Sequence, residues 1–233
     1  FQYEKIDRQP FGGGPAGIEA ARVAAMRGHD VTVYEAEDRL GGQLIPAVVP
    51  PYKENLADYI PYMEKQSEYR GFHVVTGKKI TREDVEALKP DAVIAATGVI
   101  PASLPISGFE KAHVYNAKEI LLGAPAADDK KYVETKGKNV VIIGGGTVGC
   151  ETAEYLLKAG KHVTVVEMTD HLMTNMVETT RFVLKSHIKE LGCAILLKTK
   201  CKEIRNQEVV VEGPAGEKII PAGTVVIATK DRP

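Results

Sequence analysis

Two glycine-rich hexads are the residues of this chain whose types and spacing point most directly to chemistry. The first is Gly12-Gly13-Gly14-Pro15-Ala16-Gly17 and the second is Gly144-Gly145-Gly146-Thr147-Val148-Gly149. Each precedes a short apolar run that ends in an acid: Val31-Thr32-Val33-Tyr34 runs into Glu35, and Val163-Thr164-Val165-Val166 into Glu167. The distance from first glycine to acid is 23 positions in both copies, and the copies stand 132 positions apart. In such a loop Gly12 or Gly144 permits the tight strand-to-helix turn. Gly14 or Gly146 lets backbone approach a pyrophosphate, and Gly17 or Gly149 lets helix and strand pack closely. The helix that follows aims unpaired N–H groups at the phosphates, supplied in the second copy by Thr147 and Val148. Pro15 sits just inside the helix start, where a missing N–H costs nothing. Glu35 and Glu167 are placed to accept from adenosine ribose hydroxyls, and a carboxylate there suits a free 2′-hydroxyl better than a 2′-phosphate. One such loop alone also fits a ligand-free turn. Two with matched acids predict two dinucleotides, and a chain holding two dinucleotides passes electrons between them.

The elements that must position these loops follow from the hydrophobic pattern. Helices are predicted over 15–28, 53–70, 116–122, 147–159 and 177–191. The 53–70 helix turns Leu56, Ile60 and Met63 inward, and the 177–191 helix turns Val177, Val183, Leu184, Ile188 and Leu191 inward. Strands are predicted over 30–35, 72–76, 139–143 and 162–167, and Asp91–Gly98 reads as a buried strand. Short strands at 193–197, 200–205, 208–212 and 217–220 read as a β-meander before Val225–Thr229. Thr97 and Thr229 share the 132-residue offset, so the duplication reaches past the glycine loops. Alternating strands and helices predict an α/β fold of two Rossmann-like units with parallel sheets. The expected division is 1–107 and 108–233, with 123–138 as a polar connector. The run before Gly12, Lys5 to Phe11, carries charges and Pro10, which suit a central strand poorly. It reads as a distorted first strand or as linker.

Composition narrows the function classes. Thirty basic residues face 31 acidic ones, so nothing favours nucleic acid or an anionic membrane as partner. No apolar run reaches membrane-spanning length and no signal peptide is visible. Cys150, Cys193 and Cys201 lack a CxxC pair and read as reduced thiols of a cytoplasmic protein. The histidines show no metal-ligand spacing. A start at Phe1 rather than Met reads as a fragment.

The first loop, Glu35, Leu40-Gly41-Gly42-Gln43-Leu44 and Ala96-Thr97-Gly98 resemble the FAD half of two-dinucleotide flavoprotein reductases. The second loop, Gly149-Cys150-Glu151-Thr152-Ala153-Glu154-Tyr155-Leu156 and Ala228-Thr229 resemble the NAD(P) unit inserted into it. The match is to the C-terminal half of NADH:flavin oxidoreductases of the 2,4-dienoyl-CoA reductase and trimethylamine dehydrogenase group. The resemblance implies that Gly12, Gly14, Pro15, Ala16, Gly17, Glu35, Ala36, Gly42, Gln43, Leu44, Thr97 and Gly98 line an FAD, or only ADP, site. It implies that Gly144, Gly146, Thr147, Val148, Gly149, Glu151, Glu167 and Thr229 line an NADH or NADPH site, with Glu151 on the first helical turn near the nicotinamide. It further implies an electron-input module serving an attached or separate domain with FMN and a 4Fe-4S cluster, neither of which this chain carries. Three departures stand out: Lys230 where the family has glycine, the weak first strand, and an end before the family's last FAD segment. They keep open an ADP-holding structural module, and a small accessory reductase subunit is a third reading.

Overall fold

A computed structural model describes residues 8–100, 104–111, 113–123 and 137–229. Lys230, most of the connector, Lys5 to Asp7 and Pro101 therefore lie outside the described residues. The chain divides into two compact units, one made of Phe1–Val48 and Tyr52–Val99, the other of Val49–Pro51 and Ile100–Arg232.

In the first unit the order is β1 (Arg8–Phe11), α1 (Pro15–Met26), β2 (Thr32–Tyr34), α2 (Leu44–Ala47), a 3-10 turn at Glu54–Leu56, α3 (Tyr59–Arg70), β3 (His73–Val75), α4 (Arg82–Leu88) and β4 (Ala92–Ala95). The strands form one parallel sheet in the order β3-β2-β1-β4. β1 is thus a central strand and not a linker, the first of the two readings that its charges and proline left open. It pairs with β4 over all four residues but with β2 only at Phe11, so Pro10 lies where β2 makes no pair. A missing N–H is tolerated at such a position. β4 is not the buried strand expected. It pairs with β1 on one side, its residues alternate between half-buried and exposed, and Val93 is 42% exposed. The expected 53–70 helix breaks at the 3-10 turn, which leaves Leu56 exposed while Met63 is buried. Two helices were not expected. α4 carries a Thr81–Asp84 capping box, a signal legible in the residues, and α2 is a single turn.

The second unit runs β5 (Val114–Asn116), α5 (Ala117–Leu122), β6 (Asn139–Ile143), α6 (Thr147–Lys158), β7 (His162–Val166), α7 (Glu178–Glu190), β8 (Ala194–Leu196), β9 (Lys200–Arg205), β10 (Glu208–Gly213), β11 (Gly216–Pro221) and β12 (Thr224–Ile227). Five strands form a parallel sheet in the order β5-β12-β6-β7-β8, and β9, β10 and β11 form an antiparallel sheet. β8 therefore belongs to the parallel sheet and not to the meander, because it continues the register of β7. α7 turns Leu184 and Ile188 inward, one helical turn apart, whereas Val177, Val183 and Leu191 are exposed.

The sheet of this unit is covered on both faces. Val140, Ile142, Val163 and Val165 pack among residues of α5, α6 and α7. Val141, Ile143, Val225 and Ile227 pack against Ile204, Val209 and Val211 of the meander. Double coverage explains why β6 and β12 are apolar without alternation. In the first unit a single cluster joins α1 and α3 to Val31 and Val33. Ile142→Ala should therefore cost about 2–5 kcal/mol of unfolding free energy. Val93→Ala should cost less than about 0.5 kcal/mol. Urea titrations check both, and equal losses would contradict this account of the core.

Candidate functional site: two dinucleotide cradles

Each parallel sheet ends in a glycine loop that its own backbone dictates. Gly12 has φ +108° and Gly144 φ +113°. A Cβ on Gly12 would overlap the Ala96 carbonyl, and on Gly144 would lie 2.6 Å from the Ala228 carbonyl oxygen. Side chains at Gly17 and Gly149 would strike the carbonyls of Gly12 and Gly144. These glycines are explained by packing alone.

Gly14 and Gly146 are different. Both are extended, with φ −77° and −69°, a conformation open to any residue. A Cβ on Gly146 would meet nothing within 4 Å, and on Gly14 only Gly42 Cα at 3.7 Å. The fold does not need glycine there, but a group that must touch bare backbone does. Gly14 and Gly146 are also the N-caps of α1 and α6. Neither helix has a capping side chain or an acid in its first turn, whereas α4 and α5 carry full capping boxes at Thr81 and Asn116. The first N–H groups of an α-helix have no intrahelical partner, and its dipole end is positive. An uncapped end beside bare glycine backbone fits a phosphate.

The acids do more than the sequence suggested. Glu35 accepts from the N–H of Gly13 through Oε2 and from that of Glu37 through Oε1 at 2.9 Å. Glu167 accepts from Gly145 at 2.7 Å and Thr169 at 2.8 Å in the same way. Each carboxylate thus ties the glycine loop to the end of the second strand. With about four acceptor sites per carboxylate, capacity remains for ribose hydroxyls. The loop is tied a second time, because Gly41 donates to the Gly13 carbonyl at 2.9 Å and Met173 to that of Gly145 at 2.8 Å. Leu40 and Leu172 lie directly under the central glycines, where a Cβ on either would strike a leucine methyl. Gly13, Gly145, Leu40 and Leu172 escaped the sequence reading as site residues. The offset shared by Leu40 and Leu172 is the signal that could have found them.

The remaining predicted residues divide by unit. Gly42, at φ +51°, comes so close to Gly14 that a Cβ on it would be 2.9 Å from Gly14 Cα. Gln43 Nε2 donates to the Val99 carbonyl at 3.3 Å, and Leu44 begins α2. Thr97, Gly98 and Ala36 are exposed. In the second unit Val148 is exposed on the first turn of α6. Thr229 holds a buried Oγ1 without a partner, a polar atom suited to a ligand group. Glu151 is the fifth residue of α6 and lies beyond its first turn, contrary to expectation, because α6 starts at Thr147. Among the described residues no cluster of three His, Cys, Asp or Glu could hold a metal, and no helix is long and apolar enough to cross a membrane.

The family model for pyridine nucleotide-disulphide oxidoreductases matches residues 11–232. The NADH oxidase of Thermoanaerobacter brockii is 38% identical over 99% of this chain and 36% of its own length. The bilirubin reductase of Mediterraneibacter gnavus is 36% identical over 96% of this chain and 33% of its own. Among solved structures, 2-naphthoyl-CoA reductase in complex with 2-naphthoyl-CoA superposes with a TM-score of 0.88 and 30% identity, over 98% of this chain and 33% of that one. The chain thus spans about a third of the length of these relatives. The chain belongs to the pyridine nucleotide-disulphide oxidoreductase family, whose members bind FAD and NAD(P)H.

Proposed function

We propose that this chain is the electron-input module of a larger flavoenzyme, with FAD in the first cradle and NADH in the second. On this reading residues 1–107 and 108–233 are the FAD and nicotinamide domains. The observation that carries it is the pair of glycines, Gly14 and Gly146, that packing leaves unexplained, each at the uncapped start of a helix. The order of cofactors rests on the difference between the cradles. The first has a second backbone wall, because Gly42 closes on Gly14. The second is open at Gly146, where nothing lies within 4 Å of a built Cβ. A walled cradle suits a retained prosthetic group, and an open one suits a cosubstrate that must leave each turnover.

When bound, the nicotinamide supplies a hydride that the flavin takes up and passes on as electrons. The residues of the chain hold and orient the two cofactors, and position is their main contribution to the rate. The onward acceptor would be a domain bearing FMN and an iron–sulfur cluster, attached or separate. The length of the relatives supports it, since this chain matches only about a third of each.

The family's name invites a cysteine pair as the next redox group, but the thiols here argue against it. Cys150 and Cys201 are buried, Cys193 is half-buried, and all three are free. Burial pushes the Cys150 thiol up to about 12 and those of Cys193 and Cys201 up to about 11. Near neutrality they hold their protons and are poor nucleophiles. Cys150 instead donates to the Gly145 carbonyl at 3.5 Å, under the second loop.

Three outcomes follow. The holoenzyme should prefer NADH to NADPH by about tenfold or more in kcat/KM, because a 2′-phosphate would meet the Glu167 carboxylate. A preference for NADPH of that size would refute the assignment of Glu167. Gly146→Ala should leave the melting temperature within about 2 °C of wild type and weaken NADH binding about tenfold or more. Gly149→Ala should destabilise the fold itself. Calorimetry and titration together separate these effects, and unchanged NADH affinity in Gly146→Ala would remove the main support for the second cradle. Finally, alkylation of the native thiols by iodoacetamide should keep accelerating as pH rises past the ordinary thiol value, about 8.5. A plateau near that value would show ordinary, accessible thiols.

A further inference from the structure

Gln43 joins two segments that are far apart in the chain. Its backbone continues the Gly41-Gly42 loop, which touches the glycine loop twice. Gly41 donates to the Gly13 carbonyl at 2.9 Å, and Gly42 backs onto Gly14. Its side chain reaches away from that loop, and Nε2 donates to the Val99 carbonyl at 3.3 Å. Val99 closes the turn that begins at Ala96, whose carbonyl is the group that crowds Gly12. The contacts therefore run in a ring: Gly12 to Gly14, Gly14 to Gly42, Gln43 to Val99, and Ala96 back to Gly12. Thr97 and Gly98 are exposed, Gly98 has φ +71°, and a Cβ on it would meet nothing within 4 Å.

The second cradle provides an internal comparison. At the shared offset of 132, Gly42 corresponds to Thr174 and Gln43 to Asn175. Both are exposed, and Asn175 is one methylene shorter. Among the described residues, the first loop has a strap with no counterpart in the second.

We infer that Gln43 is a positioning residue that fastens the first cradle around its dinucleotide, so that this cofactor stays bound while the second one exchanges. The inference rests on the placing of a dinucleotide in the first cradle. The chemistry of the strap is specific. Only the amide nitrogen can donate to a carbonyl, so leucine removes the bond and glutamate sets one acceptor against another.

The test measures the rate at which FAD leaves the purified chain, followed by the rise in flavin fluorescence. Gln43→Leu should release FAD about three to ten times faster than wild type, the change expected for one lost hydrogen bond. Gln43→Glu should release it at least as fast as Gln43→Leu. Melting temperature and second-cradle affinity for NADH should match wild type in both variants. Wild-type release rates in both would overturn the inference. A lower melting temperature together with weaker NADH binding would also overturn it, since Gln43 would then be general packing. Gly14→Val tests the underlying assignment separately and should abolish FAD and ADP binding. If wild type binds neither nucleotide and Gly14→Val changes nothing, that assignment falls and the strap falls with it.

Discussion

Both cradles depend on one bond: the hydrogen bond from the central glycine of each loop to the acid that ends the next strand. It joins Gly13 to Glu35 and Gly145 to Glu167 at the same sequence separation. The loop must leave a strand, turn through a positive φ at Gly12 or Gly144, and enter a helix within a few residues. A hydrogen bond to a charged group contributes about 1.5–3 kcal/mol, and each carboxylate accepts two from backbone amides. A leucine under the central glycine fills the space below. One acid therefore shapes each loop, and on the proposed reading it also presents acceptors to a ribose. On that reading, folding and nucleotide choice are tied to the same group, and replacing either glutamate would also loosen the glycine loop above it.

The two units share that device and differ around it. The second unit has apolar layers on both faces of its sheet, with helices on one side and the meander on the other. Among the described residues, the first unit has its cluster between α1, α3 and the sheet, and its β4 alternates toward solvent. At the loops the order reverses. The first cradle is walled by Gly42 and strapped through Gln43, and the second stands open at Gly146. Firm scaffolding beneath an open cradle suits a cosubstrate that comes and goes. A closed cradle suits a cofactor that must wait for it.

The sequence was most legible where function and geometry demand rare residue types. Both glycine loops, both acids and the strands that run into those acids stood out because few residues satisfy those positions. β1 could be read only as a distorted strand or a linker, because charge and proline count against a central strand, while its one-pair contact with β2 is a tertiary fact. β8 was assigned to the meander because a three-residue strand has too short a pattern to tell one sheet from another. The outward turn of Val177, Val183 and Leu191 shows the limit of counting apolar residues on a helix, since apolar side chains also occupy surfaces. Gln43 and Leu44 were legible as site residues only through resemblance. The bond from Gln43 to Val99 spans 56 positions and no local pattern encodes it.

The claim that the first cradle is a flavin site can be tested most directly by releasing whatever is bound to the purified chain with heat. Chromatography and visible absorbance then identify it. The account predicts FAD, bleached by NADH before release. ADP alone would contradict the redox assignment and mark the chain as a nucleotide-holding scaffold.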